Sequence, residues 1–303
     1  MDIRQIITDK IIAMLEKGGN EFRARWTKAA HNGFPCNATT FDAYRGVNVL
    51  ILWDEAVERG YSSNQWMTYK RATTLGAQVR KGEKSVMCVY FEMTKKKGSD
   101  ATQSADTEQT GGAGKGEFFP MCKPFWLFNV AQMDGLPDSI NGSEEPNTPC
   151  NTIDAAQNLL EASGVPIYHG FDGAFYSPGK DQICLPNRER FTSSESYFAT
   201  ALHELTHATG HESRLNRQFS KRFGDDAYAF KELVAELGAA FLVGHVGFVD
   251  ATLEHHAAYL DSWLKVLKED KTAIFTASKQ ASLAYDFILA QASNTKAKEV
   301  CAQ

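Results

Sequence analysis

His203-Glu204-Leu205-Thr206-His207 places two imidazoles four residues apart in a segment of helical periodicity. On a helix, positions i and i+4 lie on one face a turn apart, so both rings reach one cation. Glu204 is rotated from His203 by roughly a hundred degrees. It can therefore meet a water activated by the metal without ligating the metal itself, and its carboxylate accepts the proton in hydrolysis. A chain of this composition meets the pattern by chance only about 0.014 times. The alternative is a solvated helix with two incidental histidines. Phe198, Leu202 and Leu205 argue against it, because they supply the apolar side that seats such a helix in a core.

A catalytic zinc site takes a third protein ligand and keeps a fourth position open. Glu232-Leu233-Val234-Ala235-Glu236 begins 25 residues beyond His207. By spacing alone either glutamate can be the ligand, with the other fixing the tautomer of a ligating histidine. The pattern resembles that of the gluzincins, in which a glutamate on a following helix is the third ligand. In that family an acidic residue four positions later hydrogen-bonds a ligating histidine. The resemblance therefore assigns Glu232 to the metal and Glu236 to the supporting role. His211 is four residues past His207, but Gly210 is expected to end the helix first, leaving His211 as a polar rim residue. His169 and His245 read as packed or capping histidines. His255, His256 and Tyr259 share a later helical segment and are candidates for donating to an oxyanion in the transition state; as surface residues they would do no chemistry. The expected cofactor is Zn²⁺, with Mn²⁺ as the alternative, because metal availability decides occupancy in the cell.

Three β-like pieces precede the metal helix: VPIYHG, GAFYSPG and DQICLP, separated by Asp-Gly and Pro-Gly turns. In zincins such a strand, here DQICLP, forms the edge along which an extended peptide lies. Helical patterns then run through SESYFATALHELTHATG, DAYAFKELVAELGAAFLVGHVG, LEHHAAYLDSWLKVLKED and SKQASLAYDFILAQA. Earlier in the chain, Ile3, Ile7, Ile11, Met14 and Leu15 mark one helical face that Gly18-Gly19 ends. VNVLILWDEAVE is a second helix closed by Gly60, with Trp53 inside its apolar run. Ser62 or Ser63 would cap a third through QWMTYKRATTL. SVMCVYFEM and FFPMCKPFWLFNV are strands flanking residues 94–116, which hold no aromatic or large aliphatic side chain. Such a segment cannot offset the entropy of ordering, so it is expected to be the disordered tip of a hairpin.

The 303 residues suggest two domains, or one large one. A division falls at the Gly/Pro/Asn/Ser-rich run 135–151, separating residues 1–134 from 152–303, with an α+β arrangement in each. Residues 1–130 carry 18 Lys+Arg against 14 Asp+Glu, whereas residues 131–303 carry 14 against 23, so the two parts are suited to different tasks. No run approaches the roughly 18 apolar residues of a membrane span. The N-terminal segment carries charges throughout and is not expected to be a secretory signal. Six scattered cysteines without a Cys-x-x-Cys pair favour a reduced, cytoplasmic chain.

The basic first part intersperses aromatics with cations: Trp26, Phe41, Tyr44, Arg45, Trp66, Tyr69, Lys70, Arg71, Arg80, Lys81 and Lys84. Stacking rings and phosphate-tracking cations are what sequence-tolerant single-strand binding requires. Composition alone favours the plainer reading, a small domain that uses its Trp and Tyr as core with basic residues as solvated surface, because a balance of +4 is weak evidence. Across both parts, YRGVNVLIL, WMTYKRATTLGAQVRKGEKS, ALHELTHATGHESRLNR and KELVAELGAAFL make the chain resemble ArdC-type antirestriction proteins of conjugative plasmids. That resemblance implies a single-stranded-DNA-binding domain followed by a zincin-like metallopeptidase domain of a short antiparallel sheet plus helices. It also implies a role in shielding incoming plasmid DNA from host restriction, with a host restriction component as the candidate protein substrate. A DNA-binding protector with a structural or vestigial metal site is the competing reading. A metal-dependent nuclease is disfavoured, because one His₂Glu site lacks the paired ions common in such enzymes.

Overall fold

The computed structural model describes residues 2–16, 33–95, 118–141, 151–219, 227–248 and 260–301. Helix α1 (Ile3–Glu16) buries Ile7, Ile11, Met14 and Leu15, the face marked by their spacing. After the two-residue strand β1 (Cys36–Asn37), helix α2 (Val47–Arg59) buries nearly its whole first two turns, Trp53 included. It ends at Gly60, whose left-handed backbone (φ 69°) only glycine adopts cheaply.

The expected third helix splits. Gln65–Met67 form strand β2, and only Tyr69–Thr74 are helical (α3), capped by the Thr68 side chain and not by Ser62 or Ser63. Every residue of β2 is buried, because the strand is flanked by β1 on one side and β5 on the other. Strands β3 (Gln78–Val79) and β6 (Met133–Asp134) pair as a small ribbon. Strands β4 (Val86–Lys95) and β5 (Phe118–Asn129) form the expected hairpin, in register from Val86 opposite Leu127 to Lys95 opposite Phe118. Its tip, residues 96–117, lies outside the described residues, and so does the reading of that segment as disordered. The four-stranded sheet has the order β1-β2-β5-β4.

Helix α4 (Asp138–Asn141) falls at the start of the Gly/Pro-rich run. Leu136 and Ile140 are buried with Met67, Ala72 and Met133, so residues 135–141 pack against the first part of the chain. Residues 142–150 are outside the description. Helix α5 (Thr152–Ala162), capped by Asn151, leads into β7 (Ile167–His169), β8 (Phe175–Ser177) and β9 (Gln182–Leu185). These form a sheet of order β7-β9-β8 that is mixed, not antiparallel: β7 runs parallel to β9 because the chain crosses over between them, and β8 runs antiparallel.

Among the described residues four helices follow: α6 (Ser194–Ala208), α7 (Ala227–Val246), α8 (Leu260–Glu269) and α9 (Ala273–Cys301). Fifteen of the twenty residues of α7 are buried, as expected of a helix that is apolar nearly all round and packs between α6 and α9. The fold is α+β, and its largest core runs through both halves. Phe34 stacks on Tyr285 with ring centroids 5.1 Å apart, and Trp53 meets Phe241 edge-on. Gly46 N donates to Ser282 Oγ (3.0 Å), and Thr8 Oγ1 donates to the Lys271 carbonyl (2.8 Å).

Candidate metal centre

Helix α6 starts at a reciprocal cap, in which Ser193 accepts from Ser196 N and Ser196 Oγ accepts from Ser193 N. Phe198, Leu202 and Leu205 are buried and seat the helix. This leaves His203, Glu204 and His207 lining a cleft of about 850 Å³. The His203 and His207 rings are 4.9 Å apart, centroid to centroid.

From α7, Glu232 approaches both rings: its Oε2 is 3.4 Å from His203 Nε2 and its Oε1 is 3.3 Å from His207 Nε2. One atom from each of the three side chains lies within 4.8 Å of the others, an arrangement that can hold a metal ion. Glu236 sits behind His203, its Oε2 3.6 Å from Nδ1. The two glutamates thus differ in position: one faces the convergent nitrogens, and the other faces the far nitrogen of a single ring. Glu232 and Glu236 are 8% and 3% exposed. Carboxylates that deep require partners.

Burial alone would lower the His203 pKa, but Glu232 and Glu236 outweigh it and raise it to about 10. Burial would likewise raise that of Glu232, yet His203 and His207 hold it well below the usual carboxylate range. Two nitrogens and a carboxylate, borderline and hard donors together, suit a divalent ion such as Zn²⁺.

The cleft wall is built by contacts that motif reading does not reveal. Arg214 donates from Nε to the Ala208 carbonyl at the end of α6 (2.7 Å), and its guanidinium pairs with Asp181 and meets the Tyr176 hydroxyl (3.2 Å). Tyr176 Oη donates to Asp181 at 2.6 Å. The β8–β9 turn is thereby tied to the end of the metal helix. Arg214 is the main cause that holds the Asp181 pKa at about 2. Arg217 donates to the Thr206 carbonyl and to Thr209 Oγ1 (2.7 Å), closing the C-terminus of α6. Gly210 makes room for it, since a Cβ there would lie 3.0 Å from the guanidinium. The only trace of these roles in the sequence is arginine near a helix end.

Strand β9 is not the edge along which a peptide could lie. It is the middle strand, with both sides occupied by β7 and β8. Among the described residues β8 pairs with β9 alone, and its Phe175 and Tyr176 line the cleft. His211 is half-buried at the rim, bonded to Ser213 and apart from the trio. His169 and His245 are exposed and bonded to Tyr197 and Tyr285. His255, His256 and Tyr259 lie outside the described residues.

The aromatic and basic residues of the first part that are described divide into buried, paired and exposed ones. Trp66 is 1% exposed, so its place in a stacking surface is corrected: as part of an interior strand its ring belongs to the core, edge-on to Tyr61. Tyr44 is half-buried, and burial pushes its hydroxyl pKa up. Arg45 pairs with Asp286, and Arg80 with Glu83 and Asp134, so neither is a free cation. Tyr69, Lys70, Arg71, Lys81 and Lys84 are exposed. Trp26 lies outside the described residues. Tyr90 and Trp126, which no basic neighbour in the sequence singles out, stand about half exposed on the β4–β5 hairpin.

Residues 1–128 match the family described as the N-terminal domain of anti-restriction factor ArdC, and residues 154–280 match a zincin-like metallopeptidase family. The fold superposes on the crystal structure of metal-free antirestriction ArdC protein from plasmid R388 with a TM-score of 0.77 at 37% identity, covering 97% of this chain and 99% of that one. The chain belongs to the ArdC antirestriction family. A Mn(II)-bound structure of the R388 protein aligns similarly, with a TM-score of 0.75. The y4eC protein of Sinorhizobium fredii is 35% identical over 99% of this chain and 95% of its own length. The DNA primase TraC of Escherichia coli is 36% identical over 94% of this chain, which spans only 20% of that protein. ArdC-type proteins therefore share this whole unit, and TraC carries its counterpart within a much longer chain.

Proposed function

We propose that this ArdC-family protein binds single-stranded DNA through its N-terminal domain and carries a metal-dependent peptidase site in its C-terminal domain. Together these would protect incoming plasmid DNA from host restriction. The division we propose leaves residues 1–134, with 135–141 packed against them, on one side and 152–303 on the other.

The observation that carries the peptidase reading is the meeting of His203, His207 and Glu232 at one point of an open cleft. These three would hold the ion, Zn²⁺ in our reading, with Mn²⁺ the alternative given the Mn(II)-bound relative. The bound ion would supply Lewis acidity, polarising a carbonyl and lowering the pKa of water. Glu204, beside the trio in the cleft wall, would take the proton from the attacking water and pass it to the leaving amine. Glu236 would hold the His203 ring so that Nε2 faces the ion. The edge of β8 that is unpaired among the described residues would offer backbone groups to an extended peptide, and the Arg214–Asp181 tie fixes that edge relative to α6.

For DNA, the exposed Tyr69, Lys70, Arg71, Lys81 and Lys84 supply rings and cations of the kind a single strand needs. Kinship with a plasmid antirestriction protein and with DNA primases supports this assignment. A host restriction component is the peptide substrate consistent with the role. No helix among the described residues is long and apolar enough to cross a membrane, and the cysteines described are free, in keeping with a cytoplasmic protein.

The deciding experiment is Glu204→Gln in a plasmid-transfer assay against a restricting recipient, alongside metal and DNA binding in vitro. Protection should fall while both binding activities persist. Full protection by that variant would leave DNA binding as the whole mechanism.

A further inference from the structure

Glycine in the middle of a helix destabilises it relative to alanine. Gly238 lies in the middle of α7, buried, two residues past Glu236. A Cβ at this position would lie 2.9 Å from Thr206 Oγ1 and 3.3 Å from Thr206 Cβ, and closer still to Thr206 Cγ2. Thr206 is wholly buried on α6, immediately before His207. Its hydroxyl and its carbonyl are both anchored. Oγ1 donates to the Leu202 carbonyl at 2.9 Å, and the Thr206 carbonyl is held by Arg217.

The separation of two packed helices follows the bulk of the side chains where they touch. Here the touching residues are a glycine and a threonine, and the same two helices carry all the convergent groups. His203 and His207 come from α6; Glu232 and Glu236 come from α7. A glutamate has fixed reach, and metal–ligand distances tolerate only about 0.2 Å. Added bulk at the crossing would move α7 by more than that.

We propose that Gly238 is a positioning residue for the metal centre. Its missing side chain sets the α6–α7 spacing that brings Glu232 to both histidines and Glu236 to His203. This inference rests on the reading that the trio holds a divalent ion, but its geometric core does not.

The test compares Gly238→Ala with the double variant Gly238→Ala/Thr206→Ala, which removes the two closest atoms. Crystal structures without metal and Zn²⁺ affinity by chelator competition are the readouts. In Gly238→Ala, Glu236 Oε2 should draw back from His203 Nδ1, now 3.6 Å away, to beyond about 4 Å. Zn²⁺ should bind about tenfold more weakly or worse. The double variant should recover both. Parental distances and affinity in Gly238→Ala overturn the proposal, and so does a double variant that recovers neither. If Gly238→Ala does not fold, the double variant decides: folded with parental affinity upholds the proposal, and unfolded overturns it. A parental protein that binds no Zn²⁺ would defeat the metal reading, while the metal-free distances would still decide the role of Gly238.

Discussion

The metal centre and the basic surface of the N-terminal part do their proposed work with opposite economies of space. At the metal centre three side chains from two helices share a few ångströms, and the deepest are almost sealed from solvent. In the N-terminal part the described cations named above stand on the surface, and Arg45 and Arg80 are already paired with acids. A coordination site fails if one group moves by a fraction of an ångström. A phosphate-tracking surface averages over many interactions, each weak and screened by salt. Single substitutions should therefore act sharply on the first and gradually on the second.

The sharpest expected effect is at the trio. Glu232→Ala should weaken Zn²⁺ binding by more than about a hundredfold, exceeding the loss from any supporting residue; chelator competition measures it. Glu204→Gln should keep the metal but lower peptide hydrolysis by a factor of about 10² to 10⁴, read as kcat on a cleaved substrate. Glu236→Gln tests the division of labour between the glutamates. It should weaken the metal by about 10- to 100-fold, less than loss of Glu232. Equal losses would blur the distinction between ligand and support.

On the other side of the comparison, replacing Lys70, Arg71, Lys81 or Lys84 singly should reduce single-stranded DNA affinity mildly. Removing one phosphate-binding cation should flatten the log–log salt dependence by about 0.7, as titrations over a range of salt concentrations would show. A single variant that abolished binding would make this surface resemble the metal centre. The smallest effect is at the rim. Asp181 is held low by Arg214, so its bond contributes stability above the unfolded-state pKa near 3.9 and loses it as pH falls toward about 2. Asp181→Asn should lower the melting temperature slightly at neutral pH and progressively less as pH falls toward about 2, as scanning calorimetry over pH would show. The pair is partly exposed, which keeps the effect modest.

The same contrast decides what could be read from the sequence. His203, Glu204 and His207 were legible because helix geometry converts a four-residue spacing into a shared face. Glu232 and Glu236 needed family resemblance to be told apart, since the spacing is symmetric and only the packing of α7 on α6 separates them. Trp66 misled because aromatic-next-to-basic is a pattern of composition, whereas its burial follows from β2 lying between two other strands. The same short strand displaced the expected start of the third helix. The order of β7, β9 and β8 was hidden for a related reason: turns identify neighbours in the chain, and here a crossover puts the last strand in the middle. Gly238 is invisible without coordinates, because its role is defined by an atom on another helix.

The most direct test is the crystal structure of the full chain loaded with Zn²⁺, with the ion located by anomalous scattering. One ion should be held by His203 Nε2, His207 Nε2 and the Glu232 carboxylate, with Glu236 touching only His203 Nδ1. An ion ligated by Glu236 in place of Glu232, or none between these helices, would contradict the assignment.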